Sequence, residues 1–538
     1  VKTSAERLAV LGCAGLVAVT VAGCGSVTDA VKGDGGGKSV TMGTTQLTGV
    51  LDPAAAYDSG SWLLLRNTFQ SLMTFPAASS APAPDAAQSC DFTSGDASEY
   101  HCTLRSGLKF SNGHPMTAQD VVFSIERTKK INDPTGPAAL LSSIKSVEAK
   151  GDTEVIFHLA TPDATLPAKL AGPAGAIVDH QAYPADKVVP NDKLIGSGPY
   201  RFESVETMSG GGTGKQLSKV VLAPNDKYGG DAKLRNSKFT VRYFDKPADL
   251  KDALDKGDVD LTDNSLEPNT AAQIRSDQQG GKTDLQVVEG DSNDTRSLVF
   301  NTKDPVVSNV AVRQAAAALL DRKALARDVF ARTVQPLYAM VPAGVTGHTT
   351  AFFDRYGDQD VAKAKKILAD AKVQTPVKLT LTWARSRAGS AEADTLKKQM
   401  ETGGLFQVTV QQEQDWDAYR KGWADGKYQV YLIGWFADYP DPDNYIAPLL
   451  VDGGAYHHGW DDPRISQKLV PDGLKQADRS AAAGGYAQIQ QIVAENVPLI
   501  PLYQNKAFFA ARSYVTGVES TVDTTGYFRF WEISRTNK

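Results

Sequence analysis

Hydrophobic and polar positions recur with two different periods along this chain, and the clearest switching between them lies in its last third. Val377, Leu379, Leu381 and Trp383 alternate with polar residues, the two-residue period of a half-buried strand. Ala391 to Met400 carries a helical period and stops at Gly403-Gly404. Phe406, Val408 and Val410 alternate again, Trp416 to Ala424 is helical, and Gln429 to Ile433 is a strand-like run. Strands alternating with helices predict an open α/β sheet. Such sheets place ligands outside the carboxyl ends of their strands. The stretch Gly434–Asn444 follows one of these strands, turns at Pro440 and Pro442, and holds Asp438, Asp441 and Asp443. This loop therefore offers a carboxylate to a positively charged group on an extended ligand.

The rest of the chain follows the same two periods. Ser39 to Gly43 reads as a first strand, and Tyr57 to Phe75 as an amphipathic helix. Residues 76–89 are rich in Ala, Pro and Ser and read as a surface loop. Tyr100 to Leu104 alternates like a strand, and Arg105 to Gly113 reads as a strand and turn. Met116 to Arg127 begins a helix with Thr117 as N-cap and Asp120 three residues on, the spacing of a capping box. Ile144 to Glu148 and Thr153 to Leu159 read as paired strands. Further strands are expected at 216–224, 238–245 and 258–261, with a helix over 248–257 ending at Gly257.

Length and composition narrow the class. A chain of 538 residues is too long for one core, so two or three domains are expected. Hydrophobic residues make up 41% and the net charge is -5, which leaves no basic footprint for nucleic acid. Lys2 and Arg7 precede an apolar run from Leu8 to Val21, the layout of an export signal. Val21-Ala-Gly-Cys24 resembles the lipobox of bacterial lipoproteins. That resemblance makes residues 1–23 a removed signal and Cys24 the lipidated first residue; a plain signal peptide with an incidental cysteine is the alternative. Residues 24–38 then form a flexible tether rich in Gly, Ser and Lys. With Cys13 lost and Cys24 lipidated, Cys90 and Cys102 remain to pair in an oxidising compartment, or stay as two free thiols.

The segment Leu104-Arg-x-Gly-Leu-Lys-Phe-x-x-Gly-x-Pro-Met-Thr-Ala-x-Asp-Val-Val-Phe-Ser124 resembles the signature of the solute-binding proteins of peptide-type ABC importers. Ile195-Gly-Ser-Gly-Pro-Tyr200, Phe300-Asn-Thr with Val312-Arg-Gln-Ala315 and Leu320-Asp-Arg322, Trp435 to Asn444, and Pro498 to Leu502 resemble further family motifs in the same order. The resemblance implies a periplasmic-binding-protein-like type II fold, two lobes with a hinge, in the three-domain peptide-binder variant. It divides the chain into domain I (39–75, 195–300 and 504–538), domain II (76–194) and domain III (301–503, with the ligand loop at 434–444). Crossings between lobes are expected near Leu194–Tyr200, Phe300–Asn301 and Leu502–Gln504.

The implied function is capture of a peptide between the lobes and its delivery to a membrane permease with separate ATPase subunits. The chain is then a lipid-anchored monomer outside the cytoplasm, with no cofactor and no enzymatic activity. Non-peptide solutes (a nickel chelate, an oligosaccharide, an opine) and a non-transport peptide-signal receptor are the alternatives. By the resemblance Asp438 pairs with the ligand's α-ammonium, and Ser59 and Trp62 face the ligand from the first domain. Trp435 is a pocket wall or a core residue; Tyr439, Asp441 and Asp443 shape the turn.

Other constellations fail on detail. Ser209-Gly-Gly-Gly-Thr-Gly-Lys215 lacks the first glycine and the Ser/Thr of a phosphate loop. His457-His458 are adjacent, so they point apart and lack zinc spacing. The three aspartates of the loop do not meet the EF-hand register. No Gly-x-Ser-x-Gly elbow supplies a hydrolase nucleophile.

Overall fold

The computed structural model describes residues 37–536 apart from 47, 210–214, 385, 452–453, 455, 457–458 and 524. Cys24 and the signal segment, most of the tether, the tip of the Ser209–Lys215 hairpin and His457-His458 lie outside the described residues.

One sheet of eleven strands runs through both halves of the molecule. Val40–Thr44 pairs in parallel with Leu261–Thr262 and with Phe239–Tyr243, which leads to the hairpin of Lys215–Pro224 and Tyr200–Ser209. At the other end, Val377–Trp383 pairs in parallel with Phe406–Gln412 and with Val430–Phe436. Helices Ala391–Met400 and Trp416–Ala424 form the crossovers, as the periodicity predicts. Two long antiparallel strands, Leu285–Phe300 and Leu499–Arg512, join the ends. Their register shifts twice, and at the wider break Ser292, Asn293 and Asp294 stand opposite Asn505 alone. This bulge separates the part of the strand packed around Leu250 and Phe508 from the part that ends at Phe300, which is fully buried in the second-lobe core.

The hydrophobic clusters follow this division. One, from Leu298 to Tyr503, fills the second lobe. A second packs Val40, Trp62, Tyr200 and Phe239 with the C-terminal Phe528 and Phe530, and a smaller one surrounds Leu250 and Phe508. A fourth belongs to a separate four-stranded antiparallel sheet built from Ala87–Phe92, Glu99–Leu104, Glu154–Leu159 and Ile144–Lys150. In that sheet Cys90 lies directly opposite Cys102, and a disulfide joins them. Helix Ala118–Ile131 covers the sheet with Val121 and Ile125. Its capping box is formed: the Thr117 N–H donates to the Asp120 carboxylate at 2.7 Å. No helix among the described residues is long and apolar enough to cross a membrane.

Three local expectations change. The first helix covers only Ser59–Thr68, because Phe69 is extended and the chain crosses its end closely. A Cβ on Gly196 would lie 2.0 Å from the Thr68 carbonyl oxygen, and the Gly198 N–H donates to that oxygen at 2.9 Å. The expected loop at 76–89 already contains the start of strand Ala87–Phe92. Within 105–113 there is a turn and one isolated bridge, Lys109 with Pro115, but no strand.

Candidate functional site

The parallel strands of both lobes end at one cavity. Gln46 follows Val40–Thr44, Asp263 and Asn264 follow Leu261–Thr262, and Arg387 follows Val377–Trp383. Gln412 closes its strand, and Phe436 closes Val430–Phe436. All line a space of about 800 Å³. The bulge residues Ser292, Asn293, Asp294 and Asn505 complete the wall where the lobes meet. The location is what strand-end geometry dictates for an α/β sheet, repeated here from two lobes that face each other.

The loop that carries Asp438 is shorter than its sequence suggests. Strand pairing with Asp294–Phe300 carries the preceding strand through Gly434, Trp435 and Phe436. Helix Pro442–Leu450 begins soon after, leaving only Ala437 to Asp441 between. Asp441 is the helix N-cap, accepting from the Asp443 N–H at 2.9 Å. The Arg479 guanidinium grips the Asp441 carboxylate with two bonds of 2.7 and 2.8 Å. Asp443 accepts from the Tyr486 hydroxyl at 3.2 Å, and burial pushes its carboxyl up to about 6. Both acids thus serve the turn and the helix start.

Asp438 is 7% exposed. Its N–H donates to Asn444 Oδ1 at 2.8 Å, and Asn444 Nδ2 donates back to its carboxylate at 3.1 Å. The Tyr57 hydroxyl, from the first lobe, stands close enough to the same carboxylate to favour its charge. Burial raises the Asp438 carboxyl above the ordinary range, against the pull of these two neighbours and of Arg66 and Lys169 farther off. Asp438 lies behind the cavity wall, next to Phe436, rather than on its surface.

Ser59 and Trp62 do line the cavity, together with Leu63 and Arg66. The four occupy one face of helix Ser59–Thr68 at the spacing 0, 3, 4, 7. Trp62 is held by a bond of 3.0 Å from its indole N–H to the Ala56 carbonyl. The Arg66 guanidinium stacks 5.3 Å from the Trp62 ring and 5.1 Å from Tyr527, and donates to the Gly526 carbonyl at 2.7 Å. Burial lowers it to about 10. Trp435 turns away from the cavity: its ring meets Tyr456 edge-on at 6.2 Å and packs on the second-lobe core. The structure thus has Ser59 and Trp62 on the cavity surface, Asp438 just beneath it, and Trp435 with the core.

Several cavity residues went unread. Arg66 was accessible from the helical period once Ser59 and Trp62 were chosen. Arg387 donates to Asn264 Oδ1 at 3.2 Å and Asn505 Oδ1 at 2.8 Å, both neutral amides. Burial lowers the Arg387 guanidinium from its ordinary value. Arg296, by contrast, is bidentate with fully buried Glu392 at 3.1 and 3.2 Å. No spacing in the sequence ties these groups together.

Comparison with known proteins agrees with this architecture. The chain is 24% identical over 480 residues to the oligopeptide-binding protein OppA of Bacillus subtilis, covering 84% of this chain and 85% of that one. It is 26% identical over 482 residues to the periplasmic murein peptide-binding protein MppA of Escherichia coli, with 84% and 85% covered. The solved structure of DppA from Helicobacter pylori in complex with peptide STSA superposes with a TM-score of 0.75 at 22% identity, covering 93% of this chain and 98% of that one. Residues 81–457, well over half of the chain, match the middle region of one family, so this protein belongs to the bacterial extracellular solute-binding proteins, family 5.

Proposed function

We propose that this protein captures peptides in the cleft between its lobes and delivers them to an ABC-type membrane permease. The carrying observation is the cavity at the shared strand ends, spanned by two crossing strands and lined by fixed groups of both charges. Peptide binding by the similar OppA, MppA and DppA proteins supports the substrate class. Asp438 takes the ligand's α-ammonium, since an ammonium in a closed cleft needs a carboxylate to offset its desolvation. Arg387, bound only to neutral amides, meets the carboxylate end. Ser59 and Trp62 form the first-lobe wall.

Strand edges bind peptide backbone without regard to sequence. Capture is a ligand-biased shift toward the closed form. In this reading no bond of the ligand is broken, so the protein is a receptor and not an enzyme. It works as a monomer with three domains (39–75 with 195–300 and 504–538; 76–194; 301–503), tethered outside the cytoplasm by lipid on Cys24.

The test is mass spectrometry of ligand released by denaturing the purified protein, with calorimetry on a peptide panel. Released peptides that rebind after refolding support the reading. Absence of any peptide, with no binding heat from the panel, overturns it.

A further inference from the structure

Most carboxylates on or beside the cavity wall have a guanidinium next to them. Arg296 is clamped to Glu392. Asp294 accepts from the Asn505 amide, with Arg387 and Arg296 close enough to favour its charge. Asp523 pairs with Arg529 at 3.2 Å. Asp263 differs. Its Oδ2 receives the Thr44 hydroxyl at 2.6 Å and the Gln46 amide at 2.9 Å. Its Oδ1 makes no hydrogen bond of ordinary geometry, although the Ser265 hydroxyl stands close enough to favour its charge, and the residue is 4% exposed. Among the described residues no cation forms an ion pair with it, and the neighbours that favour its charge most are hydroxyls, an amide and its own backbone.

An ionised carboxylate held out of water without a cation is costly. The surroundings nevertheless hold this one in place. Ser59 Oγ donates to Gln46 Oε1 at 2.8 Å, which turns the Gln46 amide nitrogen onto Asp263. With Thr44, this chain saturates one oxygen and leaves the other without an ordinary hydrogen bond, in a residue that lines the cleft. The arrangement suits a cationic hydrogen-bond donor better than a metal ion. A metal needs several oxygen ligands, whereas the side chains bound to this carboxylate present N–H and O–H groups to it.

We propose that Asp263 is a second cation subsite of the cleft, taking a primary amine or guanidinium carried on a side chain of the bound peptide. This rests on the peptide reading above and narrows it: the favoured ligands carry a basic residue besides their α-ammonium.

Calorimetry with matched tripeptides tests it, placing lysine against norleucine and arginine against citrulline at each position. The wild-type protein is expected to bind the basic member of at least one pair about tenfold or more tightly, the range of close charge pairs in desolvated sites. Asp263→Asn, which keeps one acceptor oxygen for Thr44 and Gln46, is expected to bring that ratio to within about threefold of one. Neutral and basic peptides bound alike by the wild type overturn the inference while the peptide reading stands. A ratio that survives in Asp263→Asn also overturns it. Silence with every peptide overturns both readings. The wild-type comparison needs no variant, so a misfolded Asp263→Asn protein does not spoil the test.

Discussion

Replacing Asp438 by asparagine isolates the charge on which the proposed binding mode depends. The substitution keeps the shape of the side chain and an oxygen for the Asn444 amide, which donates at 3.1 Å. It removes a carboxylate that is 7% exposed and has no cation in ion-pair contact among the described residues. Arg66 and Lys169 act on it only from a distance. A ligand ammonium docked there would be its one direct counter-charge. Leaving that ammonium buried and unpaired costs about 3–5 kcal/mol, which is a loss of affinity of about 150-fold or more.

The assay is calorimetry of wild type and Asp438→Asn with a free-amine peptide and its N-acetylated twin. The four affinities give a coupling free energy, expected at about 2–4 kcal/mol. A coupling within about 0.5 kcal/mol of zero, the scatter of independent sites, would refute the assignment. A pH series adds a second readout. The carboxyl is raised in the free protein, so it must shed a proton to receive an ammonium as pH falls. Wild-type affinity should therefore weaken toward acid from a higher pH than an ordinary aspartate would give, and Asp438→Asn should lose that dependence.

Cys90→Ser with Cys102→Ser should lower stability by roughly 3 kcal/mol, the loop-closure value for a separation of 12, while peptide affinity measured by calorimetry stays put. Arg127→Ala strands the fully buried Asp52, which Arg127 binds with two contacts of 2.7 and 2.6 Å; urea unfolding should show a loss of about 3–5 kcal/mol. Burial raises Asp85, Asp263, Asp294 and Asp443 from 3.8 to about 6 each. The native state then holds more protons than the unfolded chain between those values, so their stabilising contribution is full below 3.8 and lost as pH rises through 6. The urea midpoint should accordingly be higher at pH 5.5 than at 7.5, and the reverse order would contradict these assignments. Tyr439→Ala should open the unliganded cleft, seen as a larger radius of gyration in X-ray scattering, and weaken acetylated and free peptides equally.

What the sequence reveals depends on how local the cause is. The crossovers at 377–436 are legible because apolar positions switch between two periods over short windows. The capping box is legible because three residues suffice to form it. The end of the first helix at Thr68 is not, because Gly196 and Gly198 press against it from far along the chain. Likewise Gly434 to Phe436 look like loop, yet pairing with Asp294 to Arg296 makes them strand. The site divides in the same way. Asp438 carries its own signal in a turn-rich stretch after a strand. Asp263 and Arg387 become site residues only when two lobes bring distant strand ends to one cavity, and nothing local distinguishes them from surface charges.

On the proposed binding mode, the position of Asp438 beside Tyr439 would link recognition to closure. Asp438 lies just behind the cavity wall on the second lobe, whereas Tyr439 is 3% exposed within the cluster built on the four-stranded sheet of the first. There the Lys169 ammonium stands 6.0 Å from the Tyr439 ring, and nearby the Ala164 N–H donates to the Leu474 carbonyl at 2.8 Å across the same junction. Tyr57, from the first lobe, stands close enough to the Asp438 carboxylate to favour its charge. Burial of one aromatic side chain is worth about 2–3 kcal/mol, enough to bias two conformers but not to hold them permanently together. A ligand that adds a charge-assisted bond at Asp438 favours the state in which Tyr439 is seated, because one short turn carries both residues. Affinity and closure are then set by the same few residues, which is why the wild-type contact map alone does not separate them and the acetylated peptide does.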